Sequence, residues 1–451
     1  MEPNSSATQP EEALALAIRD GVADRVDDVE VIVSRGDRTS YAIENDLVVP
    51  ALECDTWSVA MRALRNGRLA TAATTSRDPA DSISALVRAL NAAQPEQLSD
   101  FAAPDARRND TRNCDAALWS LVDAPAEVRR MAVAIREGAR AARPGAEVVV
   151  EADLTVARAR RAFVTKRGGP VTSASTMLSS FVMVDGNDWD AWAGTARPDD
   201  AAVTELGRTL VSSLPTREVT CEEFLGGPRE LTVVLHPRLF ESLLRTLFLE
   251  RVAADRVLAG ISPAKEGDVV ANAAFDLFDD PGAVGSLRGQ ACDDEGISGA
   301  RKAIVSKGVL SVMPCDRRSA QLRKTAPTGN GYRIPILAED RSEAPVRVGF
   351  THLEVSAGTT PRDALVKGRT VLITDLLGLH SSNKATGAFN NPIQGGLALE
   401  DGVAVARVKP GQWSATGNLH ALLKRFEALS AERMMTGGAL LPWVAARVQV
   451  A

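Results

Sequence analysis

Histidine, cysteine and aromatic residues are scarce in this chain of 451 residues, which has four histidines, five cysteines and 4% aromatic residues. The histidines are His236, His352, His380 and His420. No two of them lie within one helical turn, which excludes local metal motifs such as H-E-x-x-H. The cysteines are Cys54, Cys114, Cys221, Cys292 and Cys315. They form no C-x-x-C pair, and their wide spacing favours buried thiols in a reducing compartment.

Several other signals are also missing. The chain has no Walker A loop, no G-x-G-x-x-G and no G-x-S-x-G, so the local fingerprints of P-loop NTPases, Rossmann enzymes and α/β-hydrolases are absent. Its formal net charge is −6, so no global positive field attracts nucleic acid or anionic lipid. No basic segment precedes the first apolar stretch, and no run of about 18 apolar residues occurs. We therefore expect a cytoplasmic protein that binds neither nucleic acid nor membrane.

The overall composition, with 45% hydrophobic and 24% charged residues, is that of a soluble globular protein. At a soft prior of about 150 residues per domain, the length indicates two or three domains. In the first, residues 1–95, the periodicity predicts a helix over 11–23, extended runs over 29–35 and 38–45, and a helix over 79–93. Asn66-Gly67 predicts the two-residue turn of a hairpin, because both positions need a positive φ. The polar stretch from 95 to 115 reads as a linker.

A second α+β unit is predicted over residues 115–222, with helices over 124–142 and 199–214 and a long hairpin beginning near residue 147. Its sequence boundary lies near Pro215. From 228 to 451 the chain contains many short β-like runs separated by Gly, Asn and Thr, which is typical of a closed or sandwiched sheet. The predicted fold class is therefore α+β, with two small α+β units followed by a β-rich, barrel-like or sandwich-like C-terminal domain.

One helix is predicted within the C-terminal domain, over residues 238–253. Its apolar positions follow the i, i+3, i+4 spacing of a helix that packs on a core. They are Leu239, Phe240, Leu243, Leu244, Leu247 and Phe248. Glu241 and Arg245 are four residues apart in the order that favours an ion pair. Two interpretations of Arg245 stay open: a surface ion pair, or a residue that fills a vestigial metal cleft.

The most specific pattern lies between residues 291 and 333. An acidic turn, Asp293-Asp294-Glu295-Gly296, precedes a strand that ends in Lys307-Gly308-Val309-Leu310, and the turn Thr328-Gly329-Asn330 follows. This order resembles the TldD/TldE (PmbA) family, which has a D-E-G turn, a G-V-L strand and an S/T-T-G-N turn. Residues 386–390 (TGAFN) and 396–402 (GLALEDG) resemble two further family segments, with Ala388 and Asn390 as departures, and residues 57–75 resemble the family's N-terminal hairpin.

The resemblance implies two forms of subunit. TldD-like members carry H-E-x-x-x-H on the helix that opens the C-terminal domain, with a cysteine further along as another zinc ligand, whereas TldE-like members lack the motif and pair with a TldD-like subunit. Alignment on the preceding Leu-Leu puts Arg245 and Thr246 at the first His and the Glu of the motif, and Glu250 at the second His. Because a guanidinium does not ligate zinc, this chain resembles the TldE type.

What the resemblance implies is a non-catalytic subunit of a heterodimeric zinc metallopeptidase that acts on unfolded or short peptides, such as the leaders of modified-peptide natural products. No catalytic residue, metal ligand or cofactor is expected in this chain, and the zinc is expected in a partner with H-E-x-x-x-H. The expected substrate groove comprises Asp294, Glu295, Gly296, Thr328, Gly329 and Asn330, although these turns also fit ordinary turn chemistry.

Two alternatives stay open. One is a diverged homodimeric hydrolase that uses Asp294 and Glu295, and the other is a peptide-binding regulatory protein without cleavage activity.

Overall fold

A computed structural model describes residues 8–44, 47–96, 98–104, 109–142, 150–184, 188–212, 215, 217–334 and 342–451. The first half of the chain forms helices on an eight-stranded sheet with the path β4-β3-β2-β1-β6-β7-β5, in which β8 also pairs with β7. The helices are α1 (Pro10–Val22), α2 (Pro79–Asn91), α3 (Ala116–Leu121), α4 (Pro125–Ala141) and α5 (Asp200–Ser212). The strands are β1 (Asp28–Glu44), β2 (Leu47–Arg65), β3 (Arg68–Thr74), β4 (Gln94–Pro95), β5 (Asn109–Asn113), β6 (Val150–Thr165), β7 (Gly168–Val184) and β8 (Asp188–Gly194).

The helices predicted from the apolar spacing are present, each within two or three residues of its expected ends. The predicted turn is also confirmed, since Asn66 and Gly67 have φ values of 54° and 67° between β2 and β3. The two predicted extended runs over 29–35 and 38–45 are in fact one strand, β1. Gly36 and Asp37, the two residues between the predicted runs, lie within the ladder opposite Thr56 and Asp55.

A single sheet joins the two predicted N-terminal units. Strand β1 of the first unit pairs with β6 of the second from Glu30–Thr165 to Ile43–Ala152. The domain limits 1–95, 115–222 and 228–451 stay a prediction, and residues 97 and 105–108 of the expected linker lie outside the described residues. Within the described part of that stretch, Leu98 and Phe101 are buried against Leu64.

The C-terminal half has a twelve-stranded mixed, barrel-like sheet and a two-stranded ribbon formed by β14 and β15. Its helices are α6 (Cys221–Leu225), α7 (Pro237–Leu243), α8 (Leu249–Val252), α9 (Ala254–Leu258), α10 (Arg317–Arg323), α11 (Arg362–Leu365) and α12 (Leu419–Arg425). Its strands are β9 (Glu218–Val219), β10 (Arg229–Leu235), β11 (Leu277–Asp279), β12 (Lys302–Ser306), β13 (Val309–Leu310), β14 (Gly331–Arg333), β15 (Val346–Val348), β16 (Leu353–Val355), β17 (Arg369–Leu376), β18 (Ala388–Glu400), β19 (Val403–Val408), β20 (Ser414–Asn418), β21 (Ala428–Met435) and β22 (Ala439–Val450).

The largest apolar core of the molecule lies inside this C-terminal sheet. The predicted helix at 238–253 passes through it, and all six of its stripe residues are less than 2% exposed. The stripe residues pack with Phe275 and with side chains of β17 and β22. Burial of this face holds the helix in a fixed rotation, which in turn determines where its polar side chains point.

None of the helices in the described part of the chain is long and apolar enough to cross a membrane.

Candidate functional site

The helix that opens the C-terminal domain is not regular. It begins as α7, continues as one π-helical turn over Leu244–Phe248 and ends as α8. The Leu249 N–H donates to the Leu244 carbonyl, which is the i to i+5 hydrogen bond of a π-helix. In such a turn, residues five apart lie on the same face. The widened turn therefore brings Arg245 and Glu250 to one cleft, and both line it.

His236 begins this helix as its N-cap, and its Nδ1 accepts a hydrogen bond from the Arg238 N–H at 3.3 Å. Its ring also packs edge-on against Trp443. Burial, together with the nearby guanidinium groups of Arg238 and Arg362, lowers the pKa of His236 to about 3. His236 is therefore a neutral capping residue.

Arg245 holds three segments of the chain together. Its Nε donates to Glu241 Oε1 at 2.7 Å, and its Nη2 donates to the carbonyls of Thr351 and Gly438 at 2.9 Å each. The side chains of Arg245 and Glu241 are 18% and 13% exposed. The predicted ion pair with Glu241 is therefore present, and Arg245 lies in the wall of a cleft.

The other two motif positions differ from each other. Glu250 forms an ion pair with Arg256, with Arg256 Nε 2.7 Å from Glu250 Oε2. Thr246 is half-buried and is not among the residues that line the cleft.

The cleft has a volume of ≈ 800 Å³. One wall is the polar face of α7, the π turn and α8, and the facing walls come from residues 287–290, from the ribbon β14–β15 with the residues that follow it, and from residues 436–438. Glu241 also accepts a hydrogen bond from Thr436 Oγ1 at 2.5 Å. The cleft is therefore assembled from segments up to about 200 residues apart in sequence.

The side chains at the motif positions do not fit a zinc ion. A zinc ligand must offer a lone pair, whereas Arg245 offers only N–H donors and already uses them on Glu241 and two carbonyls. Glu250 is the one carboxylate among the three motif positions, and Arg256 pairs with it. Across the described residues, no group of three or more His, Cys, Asp or Glu side chains is arranged to hold a metal ion.

The acidic turn at 293–296 is buried against the N-terminal sheet. Asp294 pairs with Arg161 at 2.8 Å and accepts from the Arg333 N–H, and Glu295 pairs with Arg62 at 3.0 Å. Asp293 accepts the backbone N–H groups of residues 295, 297 and 331. Burial and the neighbouring Glu295 raise the pKa of Asp293 well above its usual range, and burial raises that of Glu295.

Gly296 closes the acidic turn at a φ of 78°, where a Cβ would meet the Phe163 ring at 2.5 Å. Glu295 of this turn lines a second cavity, of ≈ 410 Å³, together with Arg62 and Asp316.

The turn Thr328-Gly329-Asn330 is likewise internal. Asn330 is fully buried and donates to Asp279 and to the Gly349 carbonyl at 2.8 Å each. Thr328 donates to Asn330 Oδ1 or to the Cys315 carbonyl. The structure places this turn beside the acidic one, since the Asp294 N–H donates to the carbonyl of Gly331, the residue after Asn330, at 2.8 Å. None of the six expected groove residues is among those that line the 800 Å³ cleft, and their role as a substrate groove stays a prediction.

Most residues that line the cleft were not singled out in the sequence analysis, and among them are Arg256, Arg288, Tyr332 and Arg333. No motif marks them, because their proximity depends on the path of the chain between distant segments.

Residues 228–451 match the model of the PmbA/TldA metallopeptidase C-terminal domain. The chain belongs to the TldD/TldE (PmbA) family. The match begins at residue 228, just before β10, and contains every residue that lines the cleft.

The fold is shared with solved structures at low identity. TldE from Thermococcus kodakarensis is 20% identical and superposes with a TM-score of 0.81, over 97% of this chain and 100% of that one. A candidate modulator of a DNA gyrase from Thermotoga maritima is 18% identical, with a TM-score of 0.79 over 98% of this chain and 100% of its own. A protein of the same description from Bacteroides thetaiotaomicron is 19% identical, with a TM-score of 0.77 over 99% and 100%. No curated protein matches the chain significantly in sequence.

Proposed function

We propose that this chain is a non-catalytic, TldE-like subunit that pairs with a TldD-like zinc metallopeptidase and helps it to process unfolded or short peptides. The observation that carries the proposal is the state of the motif helix. Its π turn still presents positions 245 and 250 to one cleft, but the side chains there are an arginine and a glutamate that are each held in an internal ion pair.

The contacts of the Arg245 guanidinium support this proposal, because they are structural and not catalytic. The guanidinium joins the motif helix to the carbonyls of Thr351 and Gly438, which belong to two other segments that line the cleft. A cation that links three segments keeps a cleft in shape without any metal. In this proposal the chain keeps the motif helix and its cleft, but the side chains at the motif positions are unsuited to binding zinc.

The homodimeric hydrolase receives less support. Asp294 and Glu295, which that alternative needs, are each 2% exposed and are paired with Arg161 and Arg62. A carboxylate used to bind a metal or to activate water has to reach the substrate. Here both carboxylates connect the C-terminal domain to the N-terminal sheet.

The partner, in this proposal, supplies the zinc and the general base of peptide hydrolysis. This chain contributes a wall of the chamber in which the peptide lies, and we retain the cytoplasmic location as part of the proposal. If the heterodimer is obligate, its interface should bury more than about 2,000 Å² and be rich in apolar residues.

The test is reconstitution with a relative that carries H-E-x-x-x-H. We expect the isolated chain to contain no stoichiometric zinc and to cleave no peptide. The complex should contain zinc and should cleave peptides. Thr246→Ala in this chain should leave the activity of the complex unchanged, since Thr246 aligns with the general base but does not line the cleft. Alanine at the first motif histidine of the partner should abolish activity without dissociating the complex.

Two results would contradict the proposal. The first is about one zinc per isolated chain together with chelator-sensitive peptidase activity. The second is loss of activity of the complex on Thr246→Ala while the complex still forms.

A further inference from the structure

Strand β3 has a free edge on the side away from β2. Its pairing with β2 runs along its whole length. On the other side, β4 pairs with β3 only at Arg68 and Leu69. Within the part of the chain that the structure describes, no strand pairs with residues 70–74 on that side. An unpaired strand edge presents main-chain N–H and C=O groups to which a further extended chain can bind.

The main-chain groups of Thr71 and Ala73 point to this free edge. At the start of the edge, the Glu96 N–H donates to the Gly67 carbonyl at 3.0 Å, in the same ladder as the pairing of β4 with Leu69. Hydrogen-bonding groups alternate between the two edges of a strand in an antiparallel sheet. Those of every second residue after Gly67, namely Leu69, Thr71 and Ala73, therefore point the same way. Beyond β4, the groups of Thr71 and Ala73 have no main-chain partner among the described residues.

The free edge borders the second cavity. Thr71, Ala72 and Ala73 all line this cavity of ≈ 410 Å³. Because neighbouring side chains of a strand point to opposite faces, three consecutive lining residues indicate that the backbone edge itself borders the cavity. Their side chains are small, and Thr71 is exposed whereas Ala72 and Ala73 are half-buried. Asp316 and residues 342–346 of the C-terminal domain line the same cavity, so it lies between that domain and the N-terminal sheet.

The size and the charges of the cavity suit a short, neutral segment of chain. Its volume of ≈ 410 Å³ falls within the roughly 300 to 1,000 Å³ of typical ligand sites. Two ion pairs lie in its wall, since Arg62 pairs with Glu295 at 3.0 Å and Arg318 pairs with Glu96 at 3.4 Å. A neutral ligand leaves both pairs intact, whereas a charged ligand competes with one of their members.

We propose that the free edge of β3 binds an extended peptide as an additional strand, with the N–H and C=O groups of Thr71 and Ala73 as its partners. An extended chain rises about 3.3 Å per residue, so alternate residues of the peptide recur at the same spacing as Thr71 and Ala73. Antiparallel pairing at both positions gives about four main-chain hydrogen bonds. The inference rests on the proposed function in that the ligand is a peptide, and it goes further by assigning a peptide-binding strand to this chain.

The experiment measures binding of two peptides to the isolated full chain by fluorescence anisotropy. Both are neutral pentapeptides of alternating threonine and valine, with an N-terminal dye and a C-terminal amide. In the second peptide, ester oxygens replace the interior N–H groups, which removes hydrogen-bond donors while the side chains stay the same. Because the carbonyls of Thr71 and Ala73 then lose their donors, we expect the ester peptide to bind about tenfold more weakly.

Thr71→Pro tests the same edge by changing the protein. Proline removes an N–H group that points away from β2, so the hydrogen bonds between β2 and β3 remain. We expect Thr71→Pro to weaken binding of the first peptide by about tenfold.

Glu53→Pro is the matched control. Glu53 lies on the part of β2 that β3 does not cover, since their pairing ends at Val59. It is an even number of residues from Val59, and the register of β1 with β2 is unbroken between them, so its N–H also points to a free edge. Glu53 is not among the residues that line the cavity, and Glu53→Pro should leave peptide binding unchanged. If Thr71→Pro does not fold, the ester peptide decides the question, because it requires no change to the protein.

Equal affinity for the two peptides, or no binding of either, would overturn the inference. A loss of binding on Glu53→Pro as large as that on Thr71→Pro would also overturn it. The failure of the proposed function looks different. It would appear as zinc or peptidase activity in the isolated chain, or as no complex with an H-E-x-x-x-H relative, and neither result depends on which of the two peptides the isolated chain prefers.

Discussion

Removal of the Arg245 side chain tests how the cleft is held together. Arg245→Ala deletes an ion pair with Glu241 at 2.7 Å and two hydrogen bonds to carbonyls at 2.9 Å. Glu241 would keep Thr436 Oγ1 as a donor. The Gly438 carbonyl would keep the Leu353 N–H, which lies at 3.1 Å.

The expected loss of stability lies between two limits. An exposed ion pair contributes about 0 to 1 kcal/mol, and breaking a buried pair costs about 3 to 5 kcal/mol. At 18% and 13% exposure the pair is nearer the buried limit, and water that enters the cleft can replace part of the two carbonyl bonds. We therefore expect Arg245→Ala to lower the free energy of unfolding by about 2 to 4 kcal/mol.

Urea denaturation measures the total effect, and hydrogen exchange followed by mass spectrometry locates it. Exchange should rise at the amides around residues 351–353 and 436–439, because Arg245 connects those loops to the helix. Arg245→Lys should recover only part of the loss, since one ammonium group replaces a fork that reaches three oxygens. Arg447→Ala, which removes an exposed arginine, should cost less than about 1 kcal/mol. A cost below about 1 kcal/mol for Arg245→Ala, with unchanged exchange in both loops, would show that Arg245 is an ordinary surface residue.

Three further predictions follow from the same helix. Leu244→Ala should cost about 2 to 5 kcal/mol in urea unfolding because Leu244 is fully buried, and a smaller loss than that of Arg447→Ala would contradict its place in the core. The pKa of His236 is about 3 in the folded chain against an ordinary value of 6.5, so the unfolded chain takes up a proton first as the pH falls. The free energy of unfolding should therefore drop between pH 6.5 and 3, by up to about 1.4 kcal/mol per pH unit from this group. His236→Asn, which keeps a capping acceptor, should make the measured slope shallower. The combined change Arg245→His, Thr246→Glu and Glu250→His should still give less than one zinc per chain by elemental analysis, because the remaining ligand and the partners that orient the histidines are missing; stoichiometric zinc would refute this.

Local sequence patterns determine much of the secondary structure of this protein. The apolar stripe from Leu239 to Phe248 predicts a core helix, and Asn66-Gly67 predicts a turn, because each depends on residues close together in the chain. The resemblance of residues 291–333 to a known family is likewise carried by short segments. The prediction of two separate runs, 29–35 and 38–45, was wrong at β1, because Gly36 and Asp37 between them continue the strand. In the sheet, β2 and β6 pair with β1 on both sides there, and those hydrogen bonds outweigh the local preference.

The site, by contrast, depends on tertiary structure. The sequence establishes that positions 245 and 250 lack zinc ligands, since this is a matter of residue type. Only the fold shows that the π turn places both positions at one cleft, and that Arg288 and Arg333 line the same cleft. Only the fold also shows that Arg245 donates to carbonyls more than 100 and more than 190 residues further along the chain. It also decides that Asp294 and Glu295 face Arg161 and Arg62 of the N-terminal sheet. Spacing along the chain describes what neighbours can do locally, whereas the partner of a charged side chain is decided by which distant segments pack beside it.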